Sequence, residues 1–300
     1  MVQAREAAKY RSARQPLHGN IGWGRARPGV CWPAKVFAVV LFGSVGYWSL
    51  LVVAGCACGF LNTLASSGSV VSLPILVMFG LPEGIANATN RLPVFIGSVM
   101  AAFSFTRAGA MDWRTAVRLA PIAAIGSAAG ALLAERLGNR QMGLAITAAV
   151  MLALLLLFTK IKQALLREID ALPSVSTKAL VATFLVGVWL GFIVLDGATY
   201  LLLVLMLMCS YPLAEANALK VLLIAVTTLI PIALFGGAGD IAWAEGGVLA
   251  LGSIVGGHLG ARLSIHPQAR SWAFRVLVVV LFLELAHLGW HYSAPYRLAL

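Results

Sequence analysis

The stretch GFLNTLASSGSVVSLPILVMFGLPEGIANATNR, from Gly59 to Arg91, decides the fold because it places polar, breakable backbone inside a long apolar run. From Val36 to Pro82 there is no Asp, Glu, Lys, Arg or His among 47 residues. In a helix these residues would extend about 70 Å, which is two crossings of a hydrocarbon core about 30 Å thick. The sequence therefore predicts two helices with a break between them.

Small and polar residues cluster at the predicted break. They are Asn62, Thr63, Ser66, Ser67, Gly68 and Ser69. Non-helical backbone inside a membrane persists only where protein or a water-filled cavity satisfies its polar groups. Because hydroxyl and amide side chains can also serve as ligands, we interpret this break as half of a transport site.

Composition assigns the chain to the membrane proteins. Of its 300 residues, 60 % are hydrophobic and 11 % charged, and the mean hydropathy is +0.91. A soluble domain has about a quarter of its residues charged. Long apolar runs recur without the ten-residue alternation of a membrane barrel. The sequence therefore predicts an all-α polytopic membrane protein.

The net charge of +11 comes from a tail and short connections, so membrane orientation explains it better than a nucleic-acid partner. Residues 1–35 carry seven basic residues and one acid and predict a disordered cytoplasmic tail. We divide the rest into repeat 1 (36–159), a cytoplasmic linker (160–178), repeat 2 (179–292) and a C-terminal tail (293–300). Each repeat is predicted to contain about four transmembrane helices, with broken or re-entrant segments.

The repeats are visible when the sequence is compared with itself at an offset of 130 residues. At that offset Ala86-Asn87-Ala88 matches Ala216-Asn217-Ala218, and Trp113 matches Trp243. Transporters are commonly built from such repeats, with the site where the halves meet. We expect eight crossings, with the tail, the Arg107–Arg118 loop and the linker all cytoplasmic. The alternative is five crossings per half, in inverted halves.

A second group of candidates follows Pro82, where the sequence predicts the start of a helix at Ala86–Arg91. Asn87, Thr89 and Asn90 are cap-type residues, and free N–H groups with Arg91 could bind an anion. The alternative is a capped helix start at the membrane surface. In repeat 2, Asn217 and Lys220 lie in a charge-free run. Lys220 is either a site cation or a side chain that reaches to the interface.

Asp196 lies where repeat 2 corresponds to the Ser/Gly break of repeat 1. It is a candidate for a coupling proton, or else an ion-pair partner of Lys220 or a helix cap. The pairs Gly126/Gly130 and Gly256/Gly260 predict close helix packing. No zinc motif, nucleophile elbow or phosphate-binding loop occurs, which argues against an enzyme, a cofactor or an ATP-driven pump.

The sequence resembles the sulfite exporter TauE/SafE family of permeases over residues of about 40 to 290. In repeat 1 the resemblance is carried by Gly59-Phe60, Asn62-Thr63, Gly68-Ser69, Pro74, Gly80-Leu81-Pro82, Ala86 to Asn90, Gly109, Asp112-Trp113, Gly126 and Gly130-Ala131. In repeat 2 it is carried by Gly191-Phe192, Asp196-Gly197, Ala216-Asn217, Lys220, Gly239, Trp243, Gly256 and Gly260-Ala261-Arg262. Ser66-Ser67 stands where family members often have glycines.

The resemblance implies secondary transport of a sulfur oxyanion, a sulfonate or a related small organic anion, often outward, across the bacterial inner (plasma) membrane. The substrate-binding candidates are therefore those of the break, the Asn87–Arg91 segment, Asn217 and Lys220. The expected partners are that anion and the lipid bilayer, and a homo-oligomer stays open. Two alternatives remain: a thiol-dependent membrane enzyme or assembly factor that uses Cys56 and Cys58, and an anion channel.

Overall fold

The computed structural model describes residues 33–66, 68–136, 172–193 and 197–266, with side chains from residue 45 onward apart from Ala65 and Val70. The regular elements within these ranges are all helical. They are α1 (Pro33–Ala65), α2 (Ser69–Met78), α3 (Glu83–Arg107), α4 (Trp113–Glu135), α5 (Thr177–Phe192), α6 (Gly197–Leu203), a π-helical turn (Val204–Met208), α7 (Leu213–Ala238) and α8 (Trp243–Ile265).

Four helical segments in this part of the chain are long and apolar enough to cross a membrane. They are Val45–Leu64, Trp113–Glu135, Leu213–Ala238 and Trp243–Ile265. The prediction of an all-α polytopic membrane protein is therefore confirmed. The tail, the C-terminal tail and most of the 160–178 segment lie outside the described residues.

The break in repeat 1 is a sharp reversal between α1 and α2. Ser66 follows the end of α1 with a φ of +66°, a left-handed conformation that few residues other than glycine adopt. After the reversal, Gly68 lies against Cys58 of α1, and a Cβ atom at Gly68 would be 2.1 Å from the Cys58 carbonyl oxygen. Helix α2 returns along α1 until the Phe79 ring lies 4.6 Å from the Tyr47 ring. Repeat 1 thus contains a re-entrant helix.

Helix α3 begins earlier than the sequence suggested. Pro82 precedes its first residue, Glu83, and the Ala86 N–H already donates to the Pro82 carbonyl. Residues 87–91 therefore lie in the helix interior, where backbone N–H groups bond to preceding carbonyls. The prediction that they supply cap positions and free N–H groups is wrong, and what they contribute comes from their side chains.

Glycines bring α1 of repeat 1 against α8 of repeat 2, and α4 of repeat 1 against α5 of repeat 2. A Cβ atom at Gly256 of α8 would lie 1.9 Å from the Cys56 carbonyl oxygen of α1. A Cβ atom at Gly130 of α4 would lie 1.9 Å from the Val188 carbonyl oxygen of α5. No real Cβ atom tolerates these distances, so only glycine permits this approach. The small-residue pairs of α4 and α8 are packing surfaces, as predicted.

Corresponding helices of the two repeats run in opposite directions. Arg91, in the first half of α3, lies 5.1 Å from the ring of Phe235 near the end of α7. Farther along α3, Phe105 packs in one cluster with Ala218 and Val221 near the start of α7. Helices α3 and α7 are therefore antiparallel, although they occupy the same position in their repeats.

The contacts of α1 with α8 and of α4 with α5 agree with opposite directions for corresponding helices. In α1 and α8, Gly55 meets Leu249 and Gly59 meets Ser253, so these two helices are parallel. In α4 and α5, Gly126 meets Phe184 and Gly130 meets Val188, so these are parallel too. The described packing fits inverted repeats, and it differs from the eight-crossing arrangement that we expected.

Candidate functional site

A buried lysine of repeat 2 caps the C-terminal end of α1 in repeat 1. The Lys220 ammonium on α7 donates to the carbonyl oxygens of Asn62 and Thr63 at 3.0 and 2.9 Å. It also donates to the Ser66 hydroxyl at 3.0 Å and to the Asn217 side-chain oxygen at 2.8 Å. The last carbonyls of a helix have no partner within it and carry partial negative charge. Lys220 satisfies two of them at the end of α1.

A buried arginine of repeat 1 caps the C-terminal end of α5 in repeat 2 in the same way. The Arg91 guanidinium donates to the carbonyl oxygens of Leu190 at 2.9 Å and Gly191 at 2.7 Å. A longer contact of 3.3 Å reaches the Phe192 carbonyl, which also accepts from the Asn87 side chain at 3.4 Å. The planar fork of arginine suits several neighbouring carbonyls, whereas the lysine ammonium is a compact charge.

The two cations lie at different depths in the bundle. Arg91 follows the first residue of α3 by eight positions, or about 12 Å along the helix. Lys220 follows the first residue of α7 by seven positions, or about 10 Å. Because α3 and α7 are antiparallel, each cation lies about a third of the way in from opposite faces. Both side chains are 0 % exposed.

The break of repeat 1 also contacts the broken segment of repeat 2. The Thr199 hydroxyl of α6 donates to the Ser66 carbonyl at 3.4 Å. The Asn62 amide donates to the Ser98 hydroxyl of α3 at 3.4 Å. Asn62, Thr63, Ser66, Asn217 and Lys220 are therefore brought together, as a site between repeats requires.

Three buried N–H donors beside the cations have no partner among the described residues. They are Asn90 Nδ2, Asn217 Nδ2 and Arg91 Nε. The orientation of Asn217 follows from chemistry, because an ammonium can only donate and must face the amide oxygen. Its NH2 group therefore points elsewhere. The Asn90 oxygen accepts from the Ser72 hydroxyl at 2.5 Å, and its NH2 group lies on the other side of the amide.

The remaining sequence candidates are placed differently. The Thr89 hydroxyl accepts from the backbone N–H of Ala242, just before α8, so it joins two helices outside this cluster. Gly68 supports the reversal by its close approach to α1, and Ser69 is buried at the start of α2. Ser67 and the proton-coupling candidate Asp196 lie outside the described residues.

Sequence reasoning missed several contributors to the site. Ser72 lies between Val71 and Leu73, and Ser98 between Gly97 and Val99, so neither gave a signal. Thr199 did give one, because it is the counterpart of Ser69 at the offset of 130 residues. The carbonyls of 190–192 could not be found from side-chain types, because any residue supplies a carbonyl.

A second polar contact between the repeats lies at the ends of the helices. The Tyr211 hydroxyl, just before α7, donates to Asp112, and it lies 2.6 Å from the Thr115 hydroxyl of α4. Burial alone would raise the pKa of Asp112, but hydrogen bonds from Tyr211, Thr115 and Arg114 outweigh it and lower the pKa. Burial, followed by the hydrogen bond to Asp112, raises the pKa of Tyr211 to about 12.

The comparison with known proteins now decides the family. Residues 51–286 match the sequence profile of the sulfite exporter TauE/SafE family. The chain belongs to this family. Its relatives include the probable membrane transporter protein YfcA of Escherichia coli K12, which is 28 % identical over 225 residues, or 74 % of this chain and 81 % of that protein.

Two further relatives of this TauE/SafE chain carry similar names. A probable membrane transporter protein of Haemophilus influenzae is 26 % identical over 81 % of this chain and 96 % of its own length. The probable membrane transporter protein ORF9 of a Sinorhizobium species is 24 % identical over 79 % of this chain and 90 % of its own length. No solved structure matches the chain.

Family membership and the apolar helices together make this TauE/SafE chain a multi-pass membrane transporter, of the inner membrane in bacteria, and not an enzyme. The thiol-dependent alternative gains no support from the two cysteines of α1. Cys58 is buried, and Cys56 lies two residues away on the same helix, with its carbonyl against Gly256. Residues two apart on a helix do not face each other.

Proposed function

We propose that this chain is a secondary permease that binds a small anion between its two inverted repeats and carries it across the membrane. The observation that supports this most directly is the chemistry of the unpaired groups. Asn90 Nδ2, Asn217 Nδ2 and Arg91 Nε are all N–H donors, and all are buried. A buried donor without a partner costs about 1–3 kcal/mol, so these groups call for a ligand that accepts hydrogen bonds.

The surrounding charges favour an anion over a neutral acceptor. Lys220 and Arg91 bring two positive charges to the interface, and their described partners are neutral carbonyl, hydroxyl and amide oxygens. Helix dipoles offset only part of a full charge. An anion that enters this low-dielectric site recovers part of its lost hydration from the cations and the N–H donors.

The family name supports the substrate class. We propose a sulfur oxyanion, a sulfonate or a related organic anion, because such ligands present several acceptor oxygens and no donors to the N–H groups at either depth. The same name supports export. In this proposal the ligands are Asn62, Thr63, Ser66–Ser69, Asn87, Asn90, Arg91, Asn217 and Lys220, with Asp196 as the group that carries a coupling proton, while Thr89 joins α3 to the segment before α8.

Flux into and out of proteoliposomes tests this function. Vesicles that contain the purified protein would be offered sulfite, thiosulfate, an alkyl sulfonate and a monocarboxylate in parallel. We expect saturable flux of at least one sulfur anion, inhibited by the others. Flux that rises linearly with concentration would support a channel instead, and no flux of any of the four anions would contradict the proposal.

The same assay separates the permease from the thiol-dependent alternative. The double variant Cys56→Ser and Cys58→Ser removes both thiols of α1. We expect its half-saturation to match that of the wild type, because neither sulfur is a proposed ligand. Loss of flux in a double variant that still folds would favour the thiol chemistry.

A further inference from the structure

A cavity that none of the Lys220 or Arg91 contacts lines lies at the C-terminal ends of helices α3 and α8. Its volume is about 300 Å3, at the lower end of the range for ligand pockets, about 300–1,000 Å3. The lining residues are Met100, Phe103, Ser104, Arg107, Ala108, His258, Arg262 and Ile265. The pocket is open on one side, because Phe103, Arg107, Arg262 and Ile265 are exposed.

The charged lining of this pocket is basic, and its large apolar lining residues are Met100, Phe103 and Ile265. Arg107 and Arg262 are the two charged side chains among its lining residues, and the Arg107 guanidinium lies 4.8 Å from the ring of Phe103. The His258 ring nitrogen Nδ1 is 2.9 Å from the Ser104 hydroxyl. Two like charges in one pocket repel each other unless an anion lies between them.

A buried cluster separates this pocket from the transport site. Ala101 and Phe105 of α3 pack with Ala218 and Val221 of α7 and with Ala261 of α8. These side chains are 0 % exposed, so the cluster closes the path from the pocket toward Lys220. The pocket therefore opens to the periphery of the bundle.

The pocket also lies at the level of a membrane interface. Arg107 is the last residue of α3, and Arg262 lies in the last turn of α8. Trp113, which begins α4 after the loop that follows Arg107, is exposed, and tryptophans of this kind mark the headgroup level. Arg114 and Arg118 follow in α4, and such basic ends face the leaflet surface that carries anionic lipids.

We propose that the pocket between the ends of α3 and α8 binds the phosphate of an anionic phospholipid. Arg107 and Arg262 hold the phosphate, and the acyl chains lie against Phe103, Met100 and Ile265. A small hydrated anion would gain nothing from these apolar walls, whereas a lipid uses both parts of the pocket. Bound lipid joins the end of α3 in repeat 1 to the end of α8 in repeat 2.

The test measures thermal unfolding of the purified chain in detergent. Added phosphatidylglycerol should raise the Tm of the wild type by about 3 °C or more, by preferential binding to the folded state. Phosphatidylcholine with the same acyl chains, and inorganic phosphate, should not. The variant Arg107→Gln with Arg262→Gln should lose most of the shift. The variant Arg114→Gln, which alters a basic residue outside the pocket, should keep it.

Three results would overturn the proposal. The first is an equal response of the double variant to phosphatidylglycerol, and the second is a shift that inorganic phosphate reproduces, which would indicate a free-anion site. The third is a double variant that keeps the lipid response but has a raised KM for transport, which would make the pocket an entry vestibule. If the double variant does not fold, the pair Arg107→Lys and Arg262→Lys should keep a reduced shift, and native mass spectrometry of the wild type should retain phosphatidylglycerol in preference to phosphatidylcholine.

Discussion

The Lys220 ammonium lies 2.9 Å from the carbonyl oxygen of Thr63, so a cation of repeat 2 caps the end of α1 in repeat 1. Its counterpart is the Arg91 guanidinium, 2.9 Å from the carbonyl oxygen of Leu190. Each repeat thus supplies the cation that caps a helix of the other repeat, α1 or α5. This exchange places both cations at the repeat interface, where a transported anion would bind.

Neutralising Lys220 should destabilise the fold as well as weaken the anion site. In Lys220→Gln, the side-chain amide is neutral and one atom shorter and does not reach both the Asn62 and Thr63 carbonyls, and each buried acceptor left unpaired costs about 1–3 kcal/mol. We expect a clearly lower Tm in detergent, and an apparent affinity for the anion that is lower by about tenfold or more, or about 1.4 kcal/mol. Lys220→Arg should recover only part, because the planar fork does not match four acceptors around a point charge.

The control is Lys178→Gln, which neutralises an exposed lysine in the first turn of α5. Its Tm should match that of the wild type. A Lys220→Gln protein with the Tm and half-saturation of the wild type would show that the α1 carbonyls find other donors and that this cation does not act on the anion.

Inverted repeats predict which connections face the same side of the membrane. Ser174 N–H donates to the Cys209 carbonyl near Tyr211, which in turn contacts Asp112, so residue 172 and the loop 108–112 lie at one end. The loop after α7, at Asp240, lies at the other. Reporters inserted after Gly109 and at Leu172 should both read cytoplasmic, since Arg107, Arg114 and Arg118 flank the first of them.

A reporter inserted after Gly239 should read periplasmic in the same experiment. A cytoplasmic reading at Gly239, the counterpart of Gly109, would contradict the inverted arrangement. In the structure α1 starts at the end opposite to Arg107, whereas the basic tail before α1 favours the cytoplasmic side. A reporter at Met1 distinguishes between these two indications.

The contact between Tyr211 and Asp112 should make stability depend on pH. The lowered pKa of Asp112 means that its contribution is present at neutral pH and is lost as pH falls below the ordinary value of about 3.9. Tyr211→Phe removes the donor and keeps the ring. We expect the variant to have a lower Tm between pH 5 and 8, and the difference to narrow below about pH 4. A difference that stays constant down to pH 3 would show that the hydroxyl does not act through the carboxylate.

Local pattern was enough to predict the helices, the break and the close glycine contacts. Ser66 and Gly68 interrupt an apolar run, and the glycines of each pair, Gly126/Gly130 and Gly256/Gly260, are four residues apart, so both features are visible within short windows. The start of α3 was predicted too late because Asn87, Thr89 and Asn90 resemble caps. In the structure the helix begins at Glu83, directly after Pro82, and the three polar side chains make contacts with other helices or segments instead.

The roles of the two cations could not be predicted in the same way. Arg91 acts on residues 99 to 101 positions away, and Lys220 on residues 154 to 158 positions away in its longest contacts. Their partners are mostly backbone carbonyls, which carry no sequence signal. The pairing follows from the inverted packing of the repeats, and that packing depends on which helix ends meet in three dimensions.

The central claim is that unpaired N–H donors at the repeat interface bind the anion, and Asn217→Asp tests it most directly. The substitution keeps the oxygen that accepts from Lys220 at 2.8 Å and replaces the unpaired Nδ2 donor by a second oxygen. If Asn217 has only a structural role, the protein should tolerate this change. If Asn217 binds the anion, the new carboxylate should repel the anion. The measurement is the half-saturation of anion flux in proteoliposomes, with the Tm recorded for the same preparations and with Asn90→Asp as a parallel variant.

The account predicts that Asn217→Asp folds with a Tm no lower than that of the wild type and that its half-saturation for the anion rises by about tenfold or more. Asn90→Asp should behave alike, because its remaining oxygen still accepts from Ser72. Wild-type half-saturation in both folded variants would contradict the claim.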